Sequence, residues 1–443
     1  MGNFVNIIHS KKMKIIALLL FPFLIISAAT LLITNSKDEI KPASSPKEYF
    51  DTVKNQDNKT MDIFSPITKF NNLKENYTNL HFDAVTLDAH NDFLYQAYNK
   101  GADLGKRNKG TQSDIPKFNE GGLKIQIFSL WIPTNEMNRS YQFVVESIKM
   151  LKGFEKEYAD KFEIAYHYDD IRRIVLGKKF CGLMGIEGGT AIGEDIDKIK
   201  AFFDLGVRYI SLTWNNSNSI GVSAADEYKH NKKGGLTKFG FEVIKKMDEV
   251  GMLIDVSHFG QKGFWDVINT SKNPIIASHS DCYTLCPHYR NLTDDQIKAI
   301  AKTGGVVMIN FHNDFTSKDA KGKTRTLYDI YSTQLDEISE LYRDDPVKCF
   351  VEKQNFLKGK EVIGSVSADV ILDHIEYVKN LVGADYVGIG SDMDGGIGTP
   401  YDLYDVTCYP LLTQKMVERG YTEPDIRKIL GLNFLRVFKL VCG

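Results

Sequence analysis

"AVTLDAHND", residues 84–92, starts as an apolar, β-branched run and then places Asp88, His90 and Asp92 at every second position. Period-two alternation sets these three side chains on one face of an extended segment, where a strand would be ending. The next residues, Phe93, Leu94 and Tyr95, are apolar and aromatic rather than glycine-rich. An open, doubly wound nucleotide-binding sheet would carry a glycine-rich phosphate turn after its first strand, so this stretch argues against that architecture.

Seven more runs of the same kind lie further along the chain. They are "KIQIFSLWI" (124–132), "CGLMGIEGG" (181–189), "RYISLTWNN" (208–216), "MLIDVSH" (252–258), "PIIASH" (274–279), "GVVMINF" (305–311) and "YVGIGSD" (386–392). Nearly uninterrupted apolar runs are the pattern of parallel strands buried on both faces. Helical segments lie between them. "TKFGFEVIKKMDEVG" closes on a glycine suited to a C-cap, and in "TDDQIKAIAKTGG" Thr293 and Gln296 form a capping box. Eight such strands alternating with helices predict an α/β fold, a closed (β/α)8 barrel of the TIM type.

The C-terminal ends of these runs carry His90 and Asp92, Trp131, Glu187, Trp214, His258, His279, Phe311 and Asp392. In a barrel those ends converge on one mouth, where active sites sit. A solvated strand end explains one such position, not a set of imidazoles and carboxylates that suits Zn²⁺ or a similar ion. His90, Asp92, Glu187, His258 and His279 are one ligand too many for a single tetrahedral site. They suit two ions about 3.5–4 Å apart that share a carboxylate.

The rest of the chain limits the alternatives. The 443 residues carry a formal net charge of −2 with 25% charged residues, which favours neither nucleic acid nor another polyionic partner. Six scattered cysteines without a C-x-x-C motif make neither a disulfide scaffold nor a structural zinc site. "KKMKIIALLLFPFLIISAATLLIT" has a cationic lead, an apolar core and small residues at Ser27, Ala28 and Ala29. Residues 1–34 are thus expected to be a signal peptide or signal anchor, with 15–34 long enough to span a membrane and the body extracytoplasmic. Residues 35–80 read as a linker or lead-in, and 81–443 as one catalytic barrel. An insertion at about 315–364 is too long for a plain βα loop and is a candidate lid or homodimer contact.

"DAHND", "GIEGG", "IDVSH", "ASHSDCYTLCPHYRN" and "GIGSDMDGG" resemble, in order and spacing, the motifs of the membrane (renal) dipeptidase family of zinc peptidases. The resemblance runs from about residue 82 to Phe438. It implies a barrel of the metal-dependent hydrolase kind and two Zn²⁺ per chain. His90 and Asp92 would hold one ion, His258 and His279 the other, and Glu187 would bridge them and serve catalysis. Arg290 would hold the free carboxylate of a dipeptide, and Asp392 would be the acid/base near the scissile amide. One departure stands out. Where characterised members commonly have a histidine that polarises the scissile carbonyl, "SLTWNN" puts Trp214, leaving Asn215, Asn216 or His230 as substitute donors, or the zinc itself to carry the oxyanion.

Among the other polar residues, Asp88 is expected to orient the metal site and Asp394 to do the same for Asp392. His288 is a candidate neighbour of the site, His312 either lines the pocket or lies on the surface, and His374 is a helix-face residue away from it. Three functions remain compatible with these residues: a dizinc dipeptidase, an N-acyl amino acid deacylase or other small-amide hydrolase on the same metals, and a surface-tethered binding protein that has lost turnover.

Overall fold

The computed structural model describes residues 70, 72–320 and 325–443. The expected signal segment, 1–34, and most of the 35–80 lead-in lie outside the described residues. Nine parallel strands form one sheet. They are β1 (Leu87–Asn91), β2 (Ile125–Trp131), β3 (Phe162–Ile164), β4 (Phe180–Glu187), β5 (Val207–Ser211), β6 (Leu253–Asp255), β7 (Ile276–Ala277), β8 (Val306–Ile309) and β9 (Val387–Ile389). The order is β1-β2-β4-β5-β6-β7-β8-β9, with β3 paired to β4 beside this path. Each of the eight sequence runs holds one strand, and the eight with their alternating helices make the (β/α)8 barrel. Only β3 has no counterpart among the runs, because a three-residue "FEI" gives no readable period.

The ring closes at its mouth. Asp92 N–H donates to Met393 O at 2.9 Å, and Asp392 N–H to His90 O at 3.1 Å. Below this, the buried Asp88 carboxylate accepts from Ser391 N–H at 2.8 Å, Ser391 Oγ–H at 2.6 Å and Tyr409 O–H at 2.7 Å. Asp88 therefore stitches β1 to the loop after β9; it touches no ligand ring, but it accepts from the backbone N–H of His90 at 3.2 Å, so its hold on the site runs through the backbone. The ladder between β1 and β2 also shifts register between Asp88 and Asn91. The strict alternation expected over 88–92 is broken there, so Asp88 serves the seam while His90 serves the mouth.

Alternate positions of the strands, among them Leu87, Ile127, Leu183, Tyr209, Leu253 and Met308, share one buried cluster with Phe434, Leu435 and Phe438. The C-terminal helix Asn433–Cys442 thus packs onto the barrel's interior layer. A second, larger cluster joins the outward strand positions to the surrounding helices. The folded body also begins before residue 81, because helix Leu73–Asp83 buries Thr78, Leu80 and His81. His81 ties it down, with Nδ1 2.8 Å from Thr413 Oγ1 and Nε2 donating to Gly121 O at 2.8 Å. The insertion carries helices Leu327–Leu341 and Pro346–Leu357, held to the body by the buried Lys353–Glu120 ion pair. The six cysteines are free and buried, and no described helix is long and apolar enough to cross a membrane.

Candidate metal centre and active site

His90 stands next to last in β1 and Glu187 last in β4, while His258, His279 and Asp392 stand just beyond β6, β7 and β9, where the backbone turns away from the ladder. Two of these turns are strained: His258 and Asp392 both adopt φ 64°, left-handed backbone that non-glycine residues rarely use. Gly188, after Glu187, has φ 93°, and a Cβ there would lie 3.2 Å from Trp214 Cβ. Glycine at 188 is what lets Trp214 approach.

Glu187 lies at the centre of the cluster. Its Oε1 is 3.0 Å from His258 Nε2 and 3.5 Å from His279 Nε2, while Oε2 is 3.5 Å from His90 Nε2. Asp92 Oδ2 lies 3.8 Å from the same His90 nitrogen. Ligand atoms of His90, Glu187 and His279 fall within 4.8 Å of one another, as do those of His90, Asp92 and Asp392.

Hydrogen bonds on the far side of each imidazole set its tautomer. Tyr209 O–H donates to Ala89 O at 3.2 Å and so accepts from His90 Nδ1–H at 2.9 Å. Ser278 O–H donates to Asp255 at 2.6 Å and so accepts from His279 Nδ1–H at 2.7 Å. Asn215 Oδ1 accepts from His258 Nδ1–H at 3.2 Å. All three Nε2 atoms therefore turn lone pairs toward Glu187. His258 Nε2 and His279 Nε2 face each other at 3.0 Å, and His90 Nε2 and Asp92 Oδ1 are buried without a hydrogen bond. A cation resolves all of these conflicts at once, so the donor set fits a metal ion.

The charge balance agrees. Burial opposes ionisation of Glu187, but the three histidines outweigh it and hold its carboxyl well below the usual range. Burial and the Glu187 charge lift Asp92. Burial works against a proton on His90, yet Glu187 and Asp92 raise it to about 10. The same carboxylates that draw a proton to His90 draw a metal ion. His279 is lowered by burial and by His90, and His258 by burial and by Arg290.

A cleft of about 220 Å³ opens onto this cluster, lined by Asp92, Glu187, His258 and Asp392 and by a ring of aromatics. Asn310 Nδ2–H donates to Asp392 Oδ2 at 2.9 Å. Arg290 is buried behind His279, donating to His279 O at 2.9 Å and stacking 5.5 Å from the Phe315 ring. Its Nε–H has no partner. It borders a second pocket of about 350 Å³, which shares His258 and Tyr289 with the cleft.

Other expectations sort themselves by contact. Trp214 and Asn215 both line the cleft, Asn215 with its Oδ1 accepting from His258, while Asn216 reaches Thr190 Oγ1 at 3.4 Å and His230 is exposed in a neighbouring pocket that shares Trp214 and Asn215. Asp394 accepts from Gln112 N–H at 2.6 Å and from Ser113 Oγ–H, so it does not orient Asp392. His312 lines the cleft, and His288 stacks on Phe315 with ring centroids 4.7 Å apart. His374 is a buried strut, accepting from Cys282 N–H at 3.0 Å. Tyr209, Asp255 and Ser278 were not singled out by sequence reasoning. Asp255, a carboxylate inside the apolar run "MLIDV", was the available signal.

The family model of membrane dipeptidases, peptidase family M19, matches residues 74–442. Solved structures carry the same fold. A crystal structure of an M19 metallo-dipeptidase is 24% identical over 81% of this chain and 99% of its own, with TM-score 0.67. A probable dipeptidase from Pseudomonas aeruginosa is 24% identical over 83% and 98%, with TM-score 0.68. A metallopeptidase from Rhodobacter sphaeroides, solved with a phosphinate mimic of the dipeptide L-Ala-D-Ala, is 23% identical over 81% and 99%, with TM-score 0.67.

Proposed function

The chain belongs to the membrane dipeptidase family, a family of metallo-dipeptidases, and from that premise we propose a dinuclear zinc enzyme that cleaves small dipeptides with a free C-terminal carboxylate outside the cytoplasm. The observation that carries the reading is Glu187, whose two carboxylate oxygens face different histidines. His90 and Asp92 would hold one ion, His258 and His279 the other, with Glu187 common to both. Bound zinc supplies Lewis-acid polarisation of the scissile carbonyl and a water acidic enough to attack it at neutral pH.

The chain's own groups do the rest. Asp392, at the cleft and held by Asn310, is placed to take a proton and return it to the leaving amine. Arg290 offers a guanidinium fixed by stacking and by the His279 carbonyl, with donors left for a carboxylate. Trp214 has one N–H and no charge, so it takes no part in proton transfer. Small dipeptides as the substrate class are supported by the mimic bound to the Rhodobacter sphaeroides protein.

The test uses the full zinc-loaded protein against free dipeptides, their C-terminal amides and N-acetyl amino acids. Fast hydrolysis of the free dipeptides alone is expected. Preference for N-acetyl amino acids would give the site to a deacylase, and one zinc or none per chain by elemental analysis would end the dinuclear reading.

A further inference from the structure

Three rings on one side of the cleft take no part in the metal cluster. Tyr95 follows β1, Trp131 ends β2 and Trp214 follows β5, and all three line the cleft beside Asp92 and Glu187. The Tyr95 and Trp131 rings meet edge to face at 4.8 Å and 90°, and the Trp131 and Trp214 rings at 5.2 Å and 67°. Each ring thus fixes its neighbour, giving a continuous aromatic wall rather than separate contacts. Gly188 is part of the construction, since the space that a Cβ would crowd is the space Trp214 uses.

We propose that Tyr95, Trp131 and Trp214 select dipeptides by their N-terminal side chain, favouring apolar and above all aromatic ones; this rests on the dipeptidase reading. The direction comes from the rest of the site. Arg290, the group for the C-terminal carboxylate, lies after β7 and borders the second pocket, and the scissile bond must lie between it and the wall, over Glu187 and Asp392. The wall therefore meets the N-terminal residue. Its chemistry sets the preference. Flat ring faces reward apolar area, whereas a lysine ammonium brought against them must give up part of its water.

The experiment measures kcat/KM of the zinc-loaded full chain for Phe-Ala, Leu-Ala, Ala-Ala and Lys-Ala. Phe-Ala and Leu-Ala should exceed Ala-Ala and Lys-Ala by about tenfold or more. Trp131→Ala and Trp214→Ala should each lower the Phe-Ala to Ala-Ala ratio by about tenfold, while leaving the ratio of Ala-Phe to Ala-Ala where it was. Trp131→Phe and Trp214→Phe, which keep a ring and guard against misfolding, should retain most of the preference. Equal rates on all four dipeptides, or an equal loss on all four in the alanine variants, would overturn the wall alone. Hydrolysis of none of them would overturn the dipeptidase reading beneath it.

Discussion

Glu187 and the groups behind the histidines show how differently single residues can be read. Glu187, His90, His258 and His279 were legible because each stands at the end of an apolar run, where a carboxylate or imidazole has no structural reason to be. Their supports were not, since Tyr209 and Ser278 look like ordinary strand residues until the barrel brings them behind His90 and His279. Substitutions at both kinds of residue should be felt by the metal. Glu187→Gln removes the charge that faces all three imidazoles, and purified variant should hold less than half the wild-type zinc. Ser278→Ala frees His279 to turn and should weaken zinc binding about 10–100-fold with the fold intact, read by competition with a chelator. Unchanged zinc affinity in Ser278→Ala would mean that packing alone orients His279. Arg290→Ala should cost one or two hydrogen bonds to a charged group, about 1.5–3 kcal/mol each, and so at least about tenfold in kcat/KM on free dipeptides. C-terminal amides should hardly respond, and zinc content should stay the same.

At the scale of elements, which segments are strands could be read from the chain far better than where they end or what holds them together. Every run is longer than its strand, because apolar burial continues past the last ladder hydrogen bond into the turns that carry the ligands. The seam between β1 and β9 was invisible, since Asp88 and Ser391 are far apart in sequence and meet only when the ring closes. Asp88→Ala would leave the Ser391 N–H and the Tyr409 O–H buried without an acceptor, at about 1–3 kcal/mol, and the Ser391 hydroxyl with only His90 O at 3.4 Å. The variant should melt several degrees lower. Because the seam borders His90, it should also lose zinc more readily on heating, while a melting curve equal to wild type would show that the ladder alone closes the barrel.

For the molecule as a whole, the closed barrel was legible because its signal is repetitive: eight similar runs, each weak, can be counted. The location of the protein rests on residues 1–34 by sequence alone, and native material is expected to begin near residue 30 or to stay membrane-associated. Cytosolic protein that begins at Met1 or Met13 would contradict this. Response to acid is also a property of the whole fold, because groups far from the cleft set it. His81 and His374 are both lowered from 6.5 to about 4, chiefly by burial. Between pH 6.5 and 4 the unfolded chain binds protons at these residues that the folded chain refuses, so stability is full above the upper value and falls as pH drops toward the lower one. A displacement of that size corresponds to roughly 3 kcal/mol for each histidine. Asp394 and Asp402, raised to about 6 by burial, act in the opposite sense, since the folded chain keeps their protons longer than the unfolded one. The net slope is a difference, and a variant isolates the histidine part. His81→Gln keeps a side chain able to donate to Gly121 O but removes the titration. It should be less stable than wild type near neutral pH and lose less of its melting temperature between about pH 7 and pH 5. Melting temperatures that fall in parallel for the two proteins across that range would show that His81 does not set their acid response.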